Sequence, residues 1–249
     1  MKSRIRTIVA LAATLAVGVS AIALAADGAS ENKSTVNATV TPKKLDKKKY
    51  KKAALNSGVT TTNPSGPNSP HVNYPTSKTI LSYDDDSKVN VKAVKDCKTD
   101  LTNLTTAQAK AACPKAILGN GKAKSIIGTS PINDIVVTAF RTGSKILLHT
   151  DSETLGAGPT PNVVGTIAKA KGDYGTKVPF PVDHLAAGQG ALTYFQVKLK
   201  KGITARCHDS NKKFNVKAEF QYYASDAFNA PANGSRETES ASSKCKVKK

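Results

Sequence analysis

The chain has no tryptophan, and the only methionine among its 249 residues is the initiator. An enzyme can do without both, but a tryptophan-lined sugar groove of the common sort is excluded. Histidine is scarce, at four residues, and no two stand in the His-x-x-x-His spacing that ligates zinc from one helical face. Arginine is scarcer where it would count: beyond the N-terminus only Arg141, Arg206 and Arg236 stand against a large excess of lysine. Specific phosphate clamps favour arginine for its bidentate fork. Aromatic residues, 5% of the chain, do not interleave with the bases as a stacking track requires. A reader of specific nucleic acid is therefore not expected. There is no Gly-x-Ser-x-Gly elbow of the hydrolase kind. Gly119-x-Gly121 lacks the third glycine and following helix of a dinucleotide site, so no cofactor is implied.

What is present begins at the N-terminus. Lys2, Arg4 and Arg6 precede an uncharged, mostly aliphatic run over residues 8–24, which closes on Ala23-Leu24-Ala25. A basic head, an apolar stretch and a small-x-small end describe a secretory signal peptide, residues 1–25, removed on export. An uncleaved anchor is the alternative, since the run sits at the lower edge of spanning length. The Ala-x-Ala step and the polar chain after it favour cleavage. No cysteine follows the run to carry a lipid, and no second apolar segment is long enough to cross a bilayer. The remainder suffices for one sizeable core and is short for two.

Cys97, Cys113, Cys207 and Cys245 all lie beyond the signal. An even count in an exported chain reads as disulfides. Of the three possible pairings, the sequential one encloses natural local units: Cys97 with Cys113 around a short polar segment, and Cys207 with Cys245 tying the chain end to a late strand. The spacings are too long for a thiolate metal site, and no metal is expected.

Residues 26–34 read as a flexible leader, residues 35–228 as the folded domain, and residues 229–249 as a polar tail tied back through Cys245. Val36, Ala38 and Val40 alternate with Asn37, Thr39 and Thr41, the period of a half-buried strand. Phe214, Val216, Ala218, Phe220 and Tyr222 alternate in the same way. Thr193, Phe195, Val197 and Leu199 share a face opposite Tyr194, Gln196 and Lys198. Further strands are predicted over residues 53–62, 79–83, 89–93, 122–127, 135–140, 145–149 and 163–170. Gly119-Asn120-Gly121 predicts a tight hairpin, because Asn-Gly tolerates positive φ. Arg141-Thr142-Gly143-Ser144 predicts a second one. Thr105-x-x-Gln108 has the form of a capping box, Leu104 stands ready to pack before it, and Pro114 stops the helix that follows. Residues 63–75, rich in proline, form a loop. Alternation of this kind leaves each sheet one wet side. Two such sheets face to face give an all-β antiparallel β-sandwich with one short helix between Cys97 and Cys113. A partly closed β-barrel is the alternative, because periodicity cannot separate the two.

The block Cys97…Leu101-Thr-Asn-Leu-Thr-Thr-Ala-Gln-Ala-Lys-Ala-Ala-Cys113-Pro114-Lys-Ala-Ile-Leu-Gly119-Asn-Gly121-Lys-Ala123 resembles one in uncharacterised secreted proteins of actinobacteria. There a cysteine is followed by a short helix, Cys-Pro, a small residue and a Gly-x-Gly-x-Ala turn into a strand. The signal peptide and residues 42–45, 135–140 and 146–150 look similar too, so the likeness covers residues 36–222. The resemblance implies a secreted, cysteine-bearing, β-rich domain. It brings no catalytic or binding residue, because that group has no assigned activity.

His149 and Asp151, with Ser152 beside them, form the candidate hydrolytic cluster: two residues apart on a strand, they share a face. His184 or His208-Asp209 are candidates to join them. A triad also needs a serine on a sharp exposed turn beside an oxyanion site. The blander reading is a polar strand end entering the loop at residues 156–161. Ser-x-x-Lys starts at Ser30, Ser210 and Ser243 but opens no helix and lacks its companion motifs. Asp84-Asp85-Asp86 has the charge of a calcium loop without the alternate oxygens or the closing glutamate.

The formal charge is +19. Lys43, Lys44, Lys47, Lys48, Lys49, Lys51 and Lys52 form one basic patch, and Lys244, Lys246, Lys248 and Lys249 another. The first reads as an exposed, self-repelling connection. Such charge attracts anionic partners, here cell-wall polymer or lipid head groups, or serves only to solubilise. The function expected is a non-enzymatic secreted or cell-envelope-associated β-domain, structural or weakly adhesive toward anionic surfaces. The alternative is a secreted hydrolase of unrecognised type using the His149/Asp151 region.

Overall fold

Alternating sequences become strands here, and their inward residues meet in one main core. The computed structural model describes residues 32–62, 75–127, 130–156, 162–182, 190–208, 212–223 and 234–248. The expected signal peptide, most of the leader and residues 63–74 of the proline-rich loop lie outside the described residues.

In chain order the elements are β1 (Lys33–Thr41), β2 (Lys44–Leu45), β3 (Lys51–Lys52), β4 (Ala54–Thr62), β5 (Thr76–Asp84), β6 (Ser87–Val89), α1 (Thr106–Ala112), β7 (Ile117–Ile127), β8 (Ser130–Thr142), β9 (Lys145–Asp151), β10 (Val163–Thr166), β11 (Ala168–Lys169), β12 (Tyr174–Pro181), β13 (Gly190–Leu199), β14 (Ile203–Ala205), β15 (Lys213–Tyr222), β16 (Arg236–Lys244) and β17 (Lys246–Val247). A seven-stranded sheet runs β1-β4-β13-β7-β8-β9-β10, and a five-stranded sheet runs β11-β12-β5-β15-β16. Two small ladders, β3-β14-β6 and the parallel pair β17-β2, complete the described residues.

The fold is all-β with one short helix. Leu55, Val59, Val137, Ile146, Leu148, Val197 and Leu199 from the larger sheet pack against Leu81, Tyr83, Val178, Phe214, Val216 and Phe220 from the smaller. Strand β15 alternates as its sequence predicts, with Phe214, Val216, Ala218, Phe220 and Tyr222 all buried. In β13 a register shift between Leu192 and Tyr194 lets Leu192, in place of Thr193, reach the core. A bulge of this kind re-aims every side chain beyond it.

The two sheets meet at both edges, so the architecture stands closer to a partly closed barrel than to a sandwich. At one seam the chain leaves β10, passes Ile167 and enters β11, crossing from the larger sheet into the smaller. The single strand expected over residues 163–170 is split by that corner. At the other seam β1 runs beside β16. The Ser34 N–H donates to both Glu237 carboxylate oxygens, at 2.9 and 3.0 Å. Ser34 Oγ also bonds Thr61 Oγ1 at 2.9 Å and the Tyr222 hydroxyl at 2.7 Å. The larger sheet is thus curled and incompletely closed. In-out alternation is common to both architectures, so only the seams distinguish them.

Four other expectations are corrected. Gly119-Asn120-Gly121 lies inside β7 and is no hairpin turn. The glycines admit the backbone of β13, because a Cβ at Gly119 would sit 2.0 Å from the Lys198 carbonyl oxygen and one at Gly121 2.0 Å from that of Gln196. The strand expected at residues 89–93 ends at Val89, and Val91–Ala93 form a 3-10 turn. Much of the expected polar tail is strand β16, paired along its whole length with β15. Likewise β1 starts at Lys33, inside the expected leader.

Cys97 is bonded to Cys113 and Cys207 to Cys245. The first bridge belongs to a second, smaller core. Leu101, Ala109, Ala116 and the two cysteines cover Phe140 on the outer side of β8 and β9, with Leu104 and Leu147 packed at the margin. Helix α1 starts with both bonds of the Thr105/Gln108 capping box.

Candidate functional site

Strand β9 sends Ile146 and Leu148 into the main core, while Leu147 packs on the smaller one. His149 and Asp151 continue the Leu147 face. They share a face as the spacing predicts, but the segment carrying α1 roofs it. His149 is only 1% exposed. Its Nδ1 lies 3.0 Å from Asn162 Oδ1, the Asn162 amide donates to Thr102 Oγ1 at 3.4 Å, and Phe140 meets the imidazole edge-on at 6.4 Å. Asp151 turns to the helix: its Oδ2 accepts the Thr106 N–H at 2.6 Å. Ser152 Oγ donates to Asp134 at 2.8 Å. The backbone N–H of Thr154, then Ser152, hold the Asp134 carboxyl below the usual range. His184 and Asp209 lie outside the described residues. The cluster is a joint between sheet and helix, with its carboxylate and its serine hydroxyl already engaged. Sequence reasoning missed Asn162 and Thr106, which come from separate segments and carry no local pattern.

The Asp84-Asp85-Asp86 run turns β5 into β6 and spends its oxygens on this chain. Arg206 donates from Nε to Asp86 and from an Nη to Asp85, each at 2.8 Å, and the His208 N–H donates to Asp86 at 2.6 Å. An Asp84 oxygen accepts the Asn215 N–H. The Tyr50 ring meets two cations, with Lys88 Nζ 3.9 Å and the Arg206 guanidinium 4.9 Å from its centroid. Desolvation raises the Tyr50 phenol above its ordinary value. Among the described residues no His, Cys, Asp and Glu side chains cluster as metal ligands.

The lysines of residues 43–52 are exposed, as expected, but on a segment with an anchor of its own. The segment Lys43 to Lys52 is no loose connection: Leu45, 2% exposed, anchors it in the core. Strand β2 pairs with β17, setting Lys44 opposite Lys246 and Leu45 opposite Val247. Lys246 and Lys248 donate their N–H groups to the carbonyls of Lys43 and Leu45, both at 2.7 Å. Asp46, the segment's one acid, accepts from the N–H groups of Lys48 and Lys49 at 2.8 Å, and these bonds, with nearby lysine charge, lower its pKa. In β3, Lys52 stands opposite Thr204, whose other neighbour is Lys88. The ion pairs among the described residues are Arg206–Asp85, Arg206–Asp86 and Lys217–Glu219, and none involves the two lysine clusters.

No family model matches this chain, and no curated protein sequence does. Among solved structures, it is similar to the T6 backbone pilin of serotype M6 Streptococcus pyogenes, described as a modular three-domain structure. The identity is 10%, the TM-score 0.33, and the match covers 86% of this chain and 36% of that one. At that TM-score neither fold nor role passes from the pilin to this chain. No helix among the described residues is long and apolar enough to cross a membrane.

Proposed function

We propose that the protein is an exported, non-enzymatic β-domain of the cell envelope or its surroundings, structural or weakly adhesive, that holds to anionic surfaces through its lysines. Kinship with secreted proteins of actinobacteria is part of this proposal. The observation that carries it is the state of the basic segments. They are tied down by the short paired strands β2, β3 and β17, exposed, and outside every ion pair among the described residues. Exposed charge of this kind acts over about a Debye length, roughly 8 Å at physiological salt, so binding falls steeply as salt rises. The test is a titration of the mature protein with phosphatidylglycerol vesicles and with a soluble polyanion at low and high salt. Tight binding that persists at high salt, or none at low salt, would overturn the reading.

A hydrolase working from His149 is the second reading, and one observation favours it. Its Nε2 is buried without a hydrogen-bond partner among the described residues. Labelling by a serine-directed phosphonate that disappears in His149→Ala, with the fold intact by circular dichroism, would establish it in place of the first.

A further inference from the structure

The two lysine clusters stand at opposite ends of the sequence and meet in the fold where β2 pairs with β17. In a ladder, residues opposite each other point to the same side, with the strands about 4.8 Å apart. Leu45 and Val247 pack toward the core, so Lys44 and Lys246 point out together. Beyond them Lys244, Lys246 and Lys248 are exposed, while Cys245 is buried and Val247 half-buried. These lysines thus recur every second residue, roughly 6.6 Å apart where the backbone is extended. Lys213 stands opposite Lys244, a second like-charge pair.

Like charges directly opposite each other on a ladder destabilise it. Here the arrangement is held by other means. The burial of Leu45, the backbone bonds between β2 and β17, and the Cys207–Cys245 bridge fix the strands together. The Cys207 N–H also donates to the Asp46 carbonyl and the Cys245 N–H to that of Lys212. Both half-cystines are thus tied to the lysine-bearing segments themselves.

We propose that this surface is a single site for a linear polyanion, a chain of repeating phosphate or carboxylate groups gripped by β2 and β17 at once. The Cys207–Cys245 bridge is the latch that holds the two arms in register. The proposal rests on the anionic-surface reading above and names its partner. A row of point charges suits a polymer with regularly repeated charge, and lysine, unlike arginine, imposes no bidentate geometry on it. A membrane fits less well. The large apolar side chains exposed among the described residues are Val136 and Leu155, neither on these strands, so the patch carries no apolar wedge of the kind interfacial anchors insert.

The experiment measures binding of the mature, oxidised protein to long-chain inorganic polyphosphate at low salt. One variant changes Lys43→Gln with Lys44→Gln, another Lys246→Gln with Lys248→Gln, and a third carries all four. Two arms gripping one polymer multiply through effective concentration, so removing either weakens binding about tenfold or more, and removing both abolishes the binding that a single arm retains. Two independent sites would instead lose at most about twofold for one arm, and that result overturns the inference while leaving the proposed function standing. Replacing Cys207 and Cys245 by serine lowers affinity toward the single-arm level, whereas replacing Cys97 and Cys113 does not. The lysine variants decide the matter even if a cysteine variant fails to fold. Binding to phosphatidylglycerol vesicles in preference to both polyphosphate and duplex DNA would overturn the polymer assignment. Binding to none of the three would overturn both this inference and the reading beneath it.

Discussion

The Asp151 carboxylate accepts the backbone N–H of Thr106 at 2.6 Å, joining the end of β9 to the first turn of α1. The first N–H groups of a helix have no partner within it. In α1 the Thr105 hydroxyl accepts the Gln108 N–H, and Asp151 reaches in from the sheet for Thr106. A carboxylate there also faces the positive end of the helix dipole. Asp151→Ala is expected to cost about 1–2 kcal/mol in urea denaturation, the worth of a cap or a charged hydrogen bond. Asp151→Asn, which keeps an acceptor, should cost about half as much. Equal losses for the two would show that charge alone, and not the bond, is at work.

Gly119 and Gly121 carry a sharper expectation. A Cβ at either would lie 2.0 Å from a backbone oxygen of β13, which has no flexible side chain to move aside. Gly119→Ala or Gly121→Ala should therefore pry β7 from β13 and cost about 3 kcal/mol or more, in the class of overpacking and strain. Gly143 is the control. It turns the β8–β9 hairpin at φ +59 with nothing within 4 Å of a Cβ, so alanine there should cost about 1 kcal/mol from conformation alone. Similar melting temperatures for all three variants would contradict the close approach.

Much of this architecture could be read from period and capping, because those signals are local. The alternation of β15 and the Thr105/Gln108 box each lie within a dozen residues, and both appear as read. What the sequence conceals is set by partners far along the chain. Gly119-Asn120-Gly121 has the composition of a turn, and only the approach of Lys198 and Gln196 makes it a strand interior. Lys44-Leu45 is too short to show a period, and its pairing with Lys246-Val247 spans nearly the whole domain. The run Arg236–Lys244 has almost no apolar residue, yet β15 and the Ser34–Glu237 seam hold it. His149 and Asp151 were legible as sharing a face, but the roof over that face comes from another segment.

Tyr83 is fully buried, its hydroxyl 3.3 Å from Ser57 Oγ, and burial pushes its phenol up to about 12. Its ordinary value is 10.0. The folded pKa is thus raised, and the neutral ring's contribution to stability is whole below pH 10. It is lost as pH rises from there toward about 12, where the unfolded chain sheds a proton that the folded chain keeps. Tyr222 is shifted the same way, mainly by desolvation. With no tryptophan in the chain, phenolate absorbance reports this titration cleanly. Tyr83→Phe should move alkaline unfolding to higher pH. A variant that unfolds at the same pH as the parent would remove Tyr83 from the account.

Arg206 offers a test of which ion pairs matter. It bridges two carboxylates of very different exposure: the Asp85 side chain is 69% accessible and that of Asp86 2%. Its guanidinium also stacks against the Tyr50 ring, so one side chain links the β5–β6 turn, the segment after β14 and the lysine-bearing stretch before β3. Asp85 sits in solvent, where pairing is worth little, and Asp85→Ala should cost under about 1 kcal/mol. Asp86 cannot be rehydrated without opening the turn. Arg206→Ala, which takes the guanidinium away from that buried carboxylate, should cost about 3 kcal/mol or more. Arg206→Lys keeps the charge but can neither fork between two carboxylates nor lie flat on Tyr50, so its loss should fall between the two. Urea denaturation of the three variants at one pH and salt concentration measures the order directly. If Asp85→Ala proved as damaging as Arg206→Ala, the exposed arm of the bridge would be the one that holds the turn, and the argument from burial would fail.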